Sequence, residues 1–359
     1  MTPSELGELL DQLPRKRLLF LPTPFHKLDN LSSKYGVGMY IKRDDMTGPG
    51  AFGGNKTRKI EFILGHALRQ GVEYLISIGA YQTNAGMQLT QCCRKCGVKP
   101  ILYLADLHGE GEPKELRGNL LLSKIMGCEV HYVPRVGSDP GSLDTYNKCL
   151  ELAEQRKRDL ERNGKEAMVL PSGLVSEEGW VSYVLCLMEI LDQCRSLGID
   201  LQYLFHTTGT GGSLPGLIAG KLLLGEKAQI VSININSRTR DGREICSPEV
   251  ICDRAIAVFG RLGVAPPTRV AVFDEIHIDS NYRGVNYGIP SEDGSNAIRE
   301  LAREEGLLVD PIYSAKGFAG LLSYIRTGRI ARGSNVAFVH TGGLGSLFTG
   351  PEQIGDICK

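Results

Sequence analysis

The chain lacks a charge surplus: Lys and Arg together number 41, and so do Asp and Glu. Net charge therefore gives no reason to expect nucleic acid or an anionic membrane as a partner. It also lacks any apolar run approaching the roughly 20 residues that a bilayer-spanning helix takes. Targeting signals are missing as well. The apolar run at 18–21 is too short for a signal-peptide core, and Glu5, Glu8 and Asp11 argue against a transit peptide. The chain reads as cytoplasmic. There are no repeats and no low-complexity tract. The ten cysteines are scattered, not framed as disulfides, and a chain of 359 residues needs no such staples. The one tight group is "CCRKC", where Cys93 and Cys96 form a lone C-x-x-C. A zinc site needs a second pair at a suitable distance, and there is none. The group also falls within a helical run, whereas a thioredoxin-type motif belongs near a helix start. It reads as helix packing, and no metal is expected.

What is present is an ordinary globular composition, 42% hydrophobic and 23% charged, with length for two domains. Short apolar strands alternate with helical stretches. Strands are expected at 38–45, 73–79, 100–105, 128–134 and 167–171, then at 201–208, 228–236 and 335–343. Helices are expected at 82–95, 114–126, 142–163 and 176–197, from 208 to about 224, and at 242–262. Strand–helix–strand order implies parallel pairing through right-handed crossovers. The expected class is α/β, with two open, twisted, mainly parallel sheets flanked by helices. The order also suggests a smaller unit, residues 51–171, inserted into a larger one made of 1–50 and 172–359.

In such sheets ligands sit at the carboxyl ends of strands. Four loops with chemical content lie in or near such positions. "GPGAFGGNKTRK" (48–59) almost spells a nucleotide-binding loop, G-x-x-x-x-G-K-[ST], but Gly54 and Asn55 push Lys56 two residues too far. It also does not join a strand directly to a helix. "TTGTGGSLPG" (207–216) does, and Pro215 suits the first helical turn. Thr208, Gly209, Thr210, Gly211 and Gly212 there offer N–H groups and hydroxyls for a phosphate at a helix N-terminus. A plain glycine-rich turn is the alternative. "GAYQTNAG" (79–86) presents Gln82, Thr83 and Asn84 at a strand-to-helix turn, suited to a carboxylate; Thr83 could equally be a helix N-cap. "HTGG" (340–343) adds Thr341 after the last strand, while Tyr287, Tyr313 and Ser314 fall in two further loops.

These segments, in this order, resemble the tryptophan-synthase-β-type (fold type II) pyridoxal-phosphate enzymes. More narrowly they resemble the 1-aminocyclopropane-1-carboxylate deaminase / D-cysteine desulfhydrase family. The similarity runs from about Leu21 to Phe348, and "KRDD…AFGGNKTRK" (42–59) is its most specific part. The resemblance implies pyridoxal 5'-phosphate as cofactor, a small amino acid as substrate, and a homodimer. It implies that Lys56 carries the cofactor covalently and moves the substrate Cα proton. Asn84 would face the ring's 3-oxygen, and Thr208 through Gly212 would hold the phosphate with help from Lys59. Gln82, Thr83 and Asn84 would receive the substrate carboxylate. Tyr287 and Tyr313 would flank the substrate, and Ser314 or Thr341 would lie near the pyridine nitrogen.

Two departures from the family pattern bear on the reaction. Thr83-Asn84-Ala85 stands where Ser-Asn-His is usual, so a β-methyl is expected to crowd the reacting centre. Ser314 stands where the deaminases carry Glu. A hydroxyl leaves the pyridine nitrogen neutral and the ring a weaker electron sink. That suits β-elimination better than ring opening, because the leaving group carries electrons away. The expected reaction is elimination from D-cysteine or a related β-substituted amino acid. Ring-opening deamination, β-replacement and racemisation are the alternatives.

Overall fold

A computed structural model describes residues 1–137, 143–240, 243–285, 287–350 and Ile354. Among the described residues twelve strands run in chain order. They are β1 (Phe25–Lys27), β2 (Gly38–Lys42), β3 (Tyr74–Ala80), β4 (Lys99–Ala105), β5 (Glu129–Val133) and β6 (Ala167–Leu170), then β7 (Tyr203–Thr208), β8 (Gln229–Asn234), β9 (Thr239–Arg240), β10 (Arg243–Glu244), β11 (His277–Asp279) and β12 (Asn335–Val339). Thirteen α-helices accompany them among the described residues. They are α1 (Pro3–Asp11), α2 (Asp29–Tyr35), α3 (Asn55–Arg69), α4 (Asn84–Lys95), α5 (Gly118–Ile125), α6 (Asp144–Arg162), α7 (Glu177–Trp180), α8 (Ser182–Ser196), α9 (Leu214–Leu224), α10 (Pro248–Arg261), α11 (Arg269–Asp274), α12 (Glu292–Glu305) and α13 (Ser314–Arg326). One sheet has four parallel strands in the order β5-β4-β3-β6, a second has six in the order β1-β2-β12-β7-β8-β11, and β9 and β10 pair as a two-stranded hairpin. Within the six only β1–β2 is antiparallel. The fold is α/β with two mainly parallel sheets, as the alternation implied.

The side-chain period of two explains why both faces of each sheet are covered. In the larger sheet Phe205, Val231 and Phe338 face α12 and α13 through Leu301, Phe318 and Leu322. Their strand neighbours Leu204, Ile230 and Ala337 face the opposite layer, with Leu187 of α8, Leu217 of α9 and Ile251 of α10. In the smaller sheet Ile76, Ile101 and Tyr103 pack on Tyr146 and Cys149 of α6. Leu75 turns the other way, toward Ile60 and Ile63 of α3 and Leu89 of α4. Cys92 and Cys93 are buried in that same layer, so this C-x-x-C half is packing, and no cluster of metal-ligating residues exists among the described residues.

Several boundaries differ from the sequence expectation, each for a local reason. The helix expected over 114–126 begins at Gly118, which has φ +50°, a left-handed backbone that glycine tolerates. The one expected over 176–197 breaks at Val181 into α7 and α8. A Cβ on Gly216 of α9 would collide with the Trp180 carbonyl, so α9 packs directly on that break. The one expected over 242–262 starts at Pro248, capped by the Ser247 hydroxyl, because 243–244 belong to a hairpin. The ends of the expected helices at 142 and 242 lie outside the described residues. No helix among the described residues is long and apolar enough to cross a membrane.

Candidate active site

The loops after β3, β4, β6, β7 and β12 open into one cleft of about 800 Å³ between the two sheets. Lys56 enters it from the second residue of α3. How that helix starts is set by two glycines. A Cβ on Gly53 would stand 2.8 Å from the Asp45 carbonyl, and one on Gly54 would stand 2.8 Å from the Thr341 carbonyl. Only a bare backbone passes here, and Asn55 N–H then donates to that same Thr341 carbonyl at 3.0 Å. Gln88 of α4 closes the turn: its Oε1 accepts from Thr57 N and Oγ1 at 3.0 and 3.1 Å.

Between Lys56 and Lys59 on α3 sits Arg58, fully buried. It donates twice to Asp44 at 2.7 Å and also to Glu189 of α8 at 2.8 and 3.0 Å. Thr23 and Tyr183 hydroxyls donate to the same Asp44 carboxylate, at 2.9 and 3.2 Å. A buried charge set with this many partners is costly to break. It fixes the rotation of α3 and hence the direction of Lys56. Burial alone pushes the Lys56 amine down from 10.5 to about 8. That brings a neutral, nucleophilic amine within physiological reach.

Lys59 lies one turn further on. Its Nζ stands against Gly212, where a Cβ would be 2.5 Å away. Burial, then the charges of Lys56 and Arg254, push its pKa well below the usual lysine range. The loop at 208–212 meets it there. Its outer carbonyls are already engaged: Arg254 donates to Thr210 at 2.6 Å and Gly211 at 3.2 Å, and Asn236 donates to Gly209 at 2.9 Å. Its N–H groups from Gly209 through Ser213 have no acceptor among the described residues. Unclaimed amides at the start of α9, beside the Lys59 side chain, form an anion cup. Thr208, Gly209, Thr210 and Gly212 line the cleft; Gly211, at φ +67°, turns instead toward Ile251 and Arg254.

Across the cleft, Gln82, Thr83 and Asn84 all line the wall. Thr83 is the N-cap of α4, its hydroxyl accepting Gly86 N–H at 3.1 Å. The side chain lies against Gly79 and Gly86, where a Cβ would clash with it, so part of the expected crowding by its methyl is taken up by two glycines. Asn84 and Gln82 are braced by Asn119 of α5. Its Nδ2 donates to Asn84 Oδ1 at 2.6 Å, and its N–H donates to Gln82 Oε1 at 2.9 Å.

On the third side, the Tyr287 and Tyr313 hydroxyls hydrogen-bond each other, with the rings edge to face at 6.0 Å. Burial, and then Tyr287, push the Tyr313 phenol well above its ordinary range, so it keeps its proton. The Arg238 guanidinium carbon lies 4.0 Å from the Tyr287 ring centre and 4.8 Å from that of Tyr146. Thr341 lines the cleft, while Ser314 is fully buried behind it, 3.3 Å from the Thr341 hydroxyl. Asp310 supports the Ser314 end of this wall. Its carboxylate accepts the N–H groups of Ile312, Tyr313 and Ser314 at 2.7–3.0 Å. At the mouth, Asp106 accepts four successive amides, from His108 to Gly111, and so folds the rim loop.

Of the residues expected from sequence, Lys56, Lys59, Gln82, Thr83, Asn84, Thr208, Gly209, Thr210, Gly212, Tyr287, Tyr313 and Thr341 share this cleft; Gly211 and Ser314 stand behind its wall. Sequence reasoning passed over Arg238, Arg254, Asn119, Asp310 and the Asp44–Arg58–Glu189 set. The quoted stretch 42–59 did contain Asp44 and Arg58, and Asp310 opens the loop that carries Tyr313 and Ser314; nothing near the others in sequence marks them. The donor set fits pyridoxal phosphate: a cup of free amides and lysines for the phosphate, a depressed lysine for its aldehyde, and hydroxyls in the opposite wall.

Residues 16–342 match the family model described as pyridoxal-phosphate dependent enzyme. A D-cysteine desulfhydrase from Serratia proteamaculans is 32% identical over 350 residues, covering 97% of this chain and 99% of that protein. A 1-aminocyclopropane-1-carboxylate deaminase from Burkholderia cenocepacia is 32% identical over 342 residues, covering 94% and 96%. A crystal structure described as that of an ACC deaminase homologue superposes with a TM-score of 0.82 at 31% identity, covering 97% of each chain.

Proposed function

The chain belongs to the pyridoxal-phosphate-dependent enzyme family, and on that premise we propose that it eliminates the β-substituent of a small amino acid, D-cysteine or a close analogue. With water, cysteine would yield pyruvate, ammonia and sulfide. Bound pyridoxal phosphate supplies the electron sink that acidifies the substrate Cα–H bond. Lys56 Nζ is the group that carries the cofactor and takes the Cα proton, and its amine is lowered to about 8. The loop at 208–212 with Lys59 holds the phosphate. Gln82, Thr83 and Asn84 receive the substrate carboxylate, and the tyrosine pair closes the opposite side.

One observation carries the choice of elimination. The wall behind Thr341 offers two hydroxyls, Thr341 and Ser314, while the neighbouring carboxylate, Asp310, is turned onto backbone amides. A hydroxyl does not keep a pyridine nitrogen protonated as a carboxylate does. The ring then withdraws fewer electrons, and a reaction whose leaving group removes them is favoured. The same reading includes a homodimer and a division of the chain into 51–171 and the remainder, supported by the resemblance and by the two sheets.

The test is a panel of D- and L-amino acids bearing β leaving groups, assayed for keto acid and ammonia. D-Cysteine or a related compound should turn over fastest. Release of 2-oxobutyrate from 1-aminocyclopropane-1-carboxylate at a comparable rate would instead make the protein a ring-opening deaminase. Lys56→Ala should abolish both turnover and the visible absorbance of lysine-bound cofactor.

A further inference from the structure

A second cavity, of about 550 Å³, lies on the Arg254 side of the phosphate loop. Tyr146 and Leu150 of α6 and Ile78 of β3 form one wall; Arg238, Val250 and Arg254 form the other. Tyr146, Ser172 and Thr210 also line the active-site cleft, so these three residues are the partition between the two spaces. Among the described residues three arginines line the cavity, Arg238, Arg243 and Arg254, against one carboxylate, Glu244. Glu244 is already engaged: its two oxygens accept from the Arg283 guanidinium at 3.0 and 2.6 Å. Arg238 is 7% exposed. Its Nε donates to Asn236 Oδ1 at 3.2 Å, and its guanidinium carbon lies 4.0 Å from the Tyr287 ring centre and 4.8 Å from that of Tyr146. No carboxylate pairs with it among the described residues; the titratable groups nearest it are phenols.

We propose that this second cavity binds a small organic anion, a carboxylate carried on an apolar or aromatic body, at a site separate from the seat of the substrate. A guanidinium held out of water among neutral groups is a costly arrangement, and a carboxylate beside it relieves that cost. The planar fork of arginine also suits this partner, because parallel N–H donors match the two oxygens of a carboxylate. The rest of the wall selects the body. Ile78, Leu150, Val175 and Val250 are apolar, and Tyr146 offers a buried ring. A bare inorganic ion would leave that surface uncovered, whereas 550 Å³ falls within the roughly 300–1,000 Å³ of pockets that enclose organic ligands. The residues that receive the substrate carboxylate, Gln82, Thr83 and Asn84, line the other cleft and not this one. The occupant rests instead on the supports of the phosphate loop: Asn236 ties Arg238 to the Gly209 carbonyl at 2.9 Å, and Arg254 donates to the Thr210 and Gly211 carbonyls.

This site is independent of the elimination reading, and its test needs no amino acid. The probe is 4-phenylbutyrate, titrated calorimetrically into the holoenzyme, with 4-phenylbutyramide and inorganic phosphate titrated in parallel. The carboxylate should bind once per chain with a Kd of about 1 mM or tighter. The amide, which lacks the charge, and phosphate, which lacks the body, should each bind at least about tenfold more weakly. Arg238→Met should weaken the probe at least about tenfold through loss of a charge-assisted contact. Val250→Trp, which fills the cavity without altering a charge, should do the same. The visible band of lysine-bound cofactor reports that a variant is still folded, and should one variant lose that band, the other decides. A Kd weaker than about 10 mM in wild type overturns the proposal. Equal affinity for the amide or for phosphate also overturns it. So does full-strength binding in either folded variant, which would put the probe in the active-site cleft or on the surface.

Discussion

Gly54→Ala isolates the device that delivers Lys56. The backbone at Gly54 has φ 163°, extended geometry that alanine adopts without strain. The whole cost is therefore steric. An added methyl would meet Gln88 Nε2 and, at 2.8 Å, the Thr341 carbonyl. Gln88 could swing away, but its amide clamps Thr57 and Gly53, so moving it undoes the first turn of α3. The Thr341 carbonyl is backbone and also receives Asn55 N–H at 3.0 Å. Overpacking of this kind costs about 1–3 kcal/mol, and loss of the Asn55 hydrogen bond adds about 1 kcal/mol. If even about 2 kcal/mol falls on the bound state, cofactor affinity drops roughly 30-fold. The assay is titration of the apoenzyme with pyridoxal phosphate, read by visible absorbance. Gly71→Ala is the control: φ there is +72° with open space around it, so it should cost stability by about 1 kcal/mol and leave affinity alone. A Gly54→Ala protein that binds the cofactor within threefold of wild type would falsify the steric account.

Asp44→Asn should destabilise the protein by about 3 kcal/mol or more, because it strips a buried guanidinium of a charged partner; thermal unfolding measures it. Burial alone would raise the Asp44 pKa, but Arg58 outweighs it and the carboxyl lies below the usual range. Its contribution is thus present above its unfolded pKa and disappears as pH falls through the folded value. His206 acts at milder acidity. Burial holds its imidazole down from 6.5 to about 4, worth about 3 kcal/mol against unfolding that is lost progressively as pH falls across that window. Denaturant midpoints between these two pH values should decline in wild type and decline less in His206→Asn. The neutral Lys56 amine is the form that captures an aldehyde, so apoenzyme loading should quicken with pH up to about 8 and then level off; flat loading across that range would contradict the burial argument.

Strand–helix alternation made the sheets legible, and small-residue loops at strand ends made much of the cleft legible. Lys56 was readable because the two residues that spoil a nucleotide loop are informative: Gly54 passes where a Cβ cannot, and Asn55 ties α3 to the end of β12. Other features were in the sequence but not taken from it. The stretch 292–305 has a serine cap and buried Ala297, Ile298 and Leu301 at helical spacing, yet no helix was expected there. The supports behind the wall are a different matter. Asn119 lies 35 residues from Asn84, and Glu189 lies 131 from Arg58. Contacts at such separations leave no local pattern, since they depend on how two sheets pack. Arg238 is the extreme case, because it lies on rings drawn from both halves of the cleft.

The amide cup with its lysines has a consequence for the life of the protein in the cell. Lys59 faces Lys56 and Arg254 in a buried setting that opposes its charge. A phosphate in the cup relieves that repulsion only in the folded chain, so ligand binding and folding are linked, and each tenfold rise of free cofactor above its dissociation constant adds about 1.4 kcal/mol of stability. Abundance of this protein should therefore track vitamin B6 status: chains made when cofactor is scarce would be the first lost to proteolysis, before any change in their synthesis.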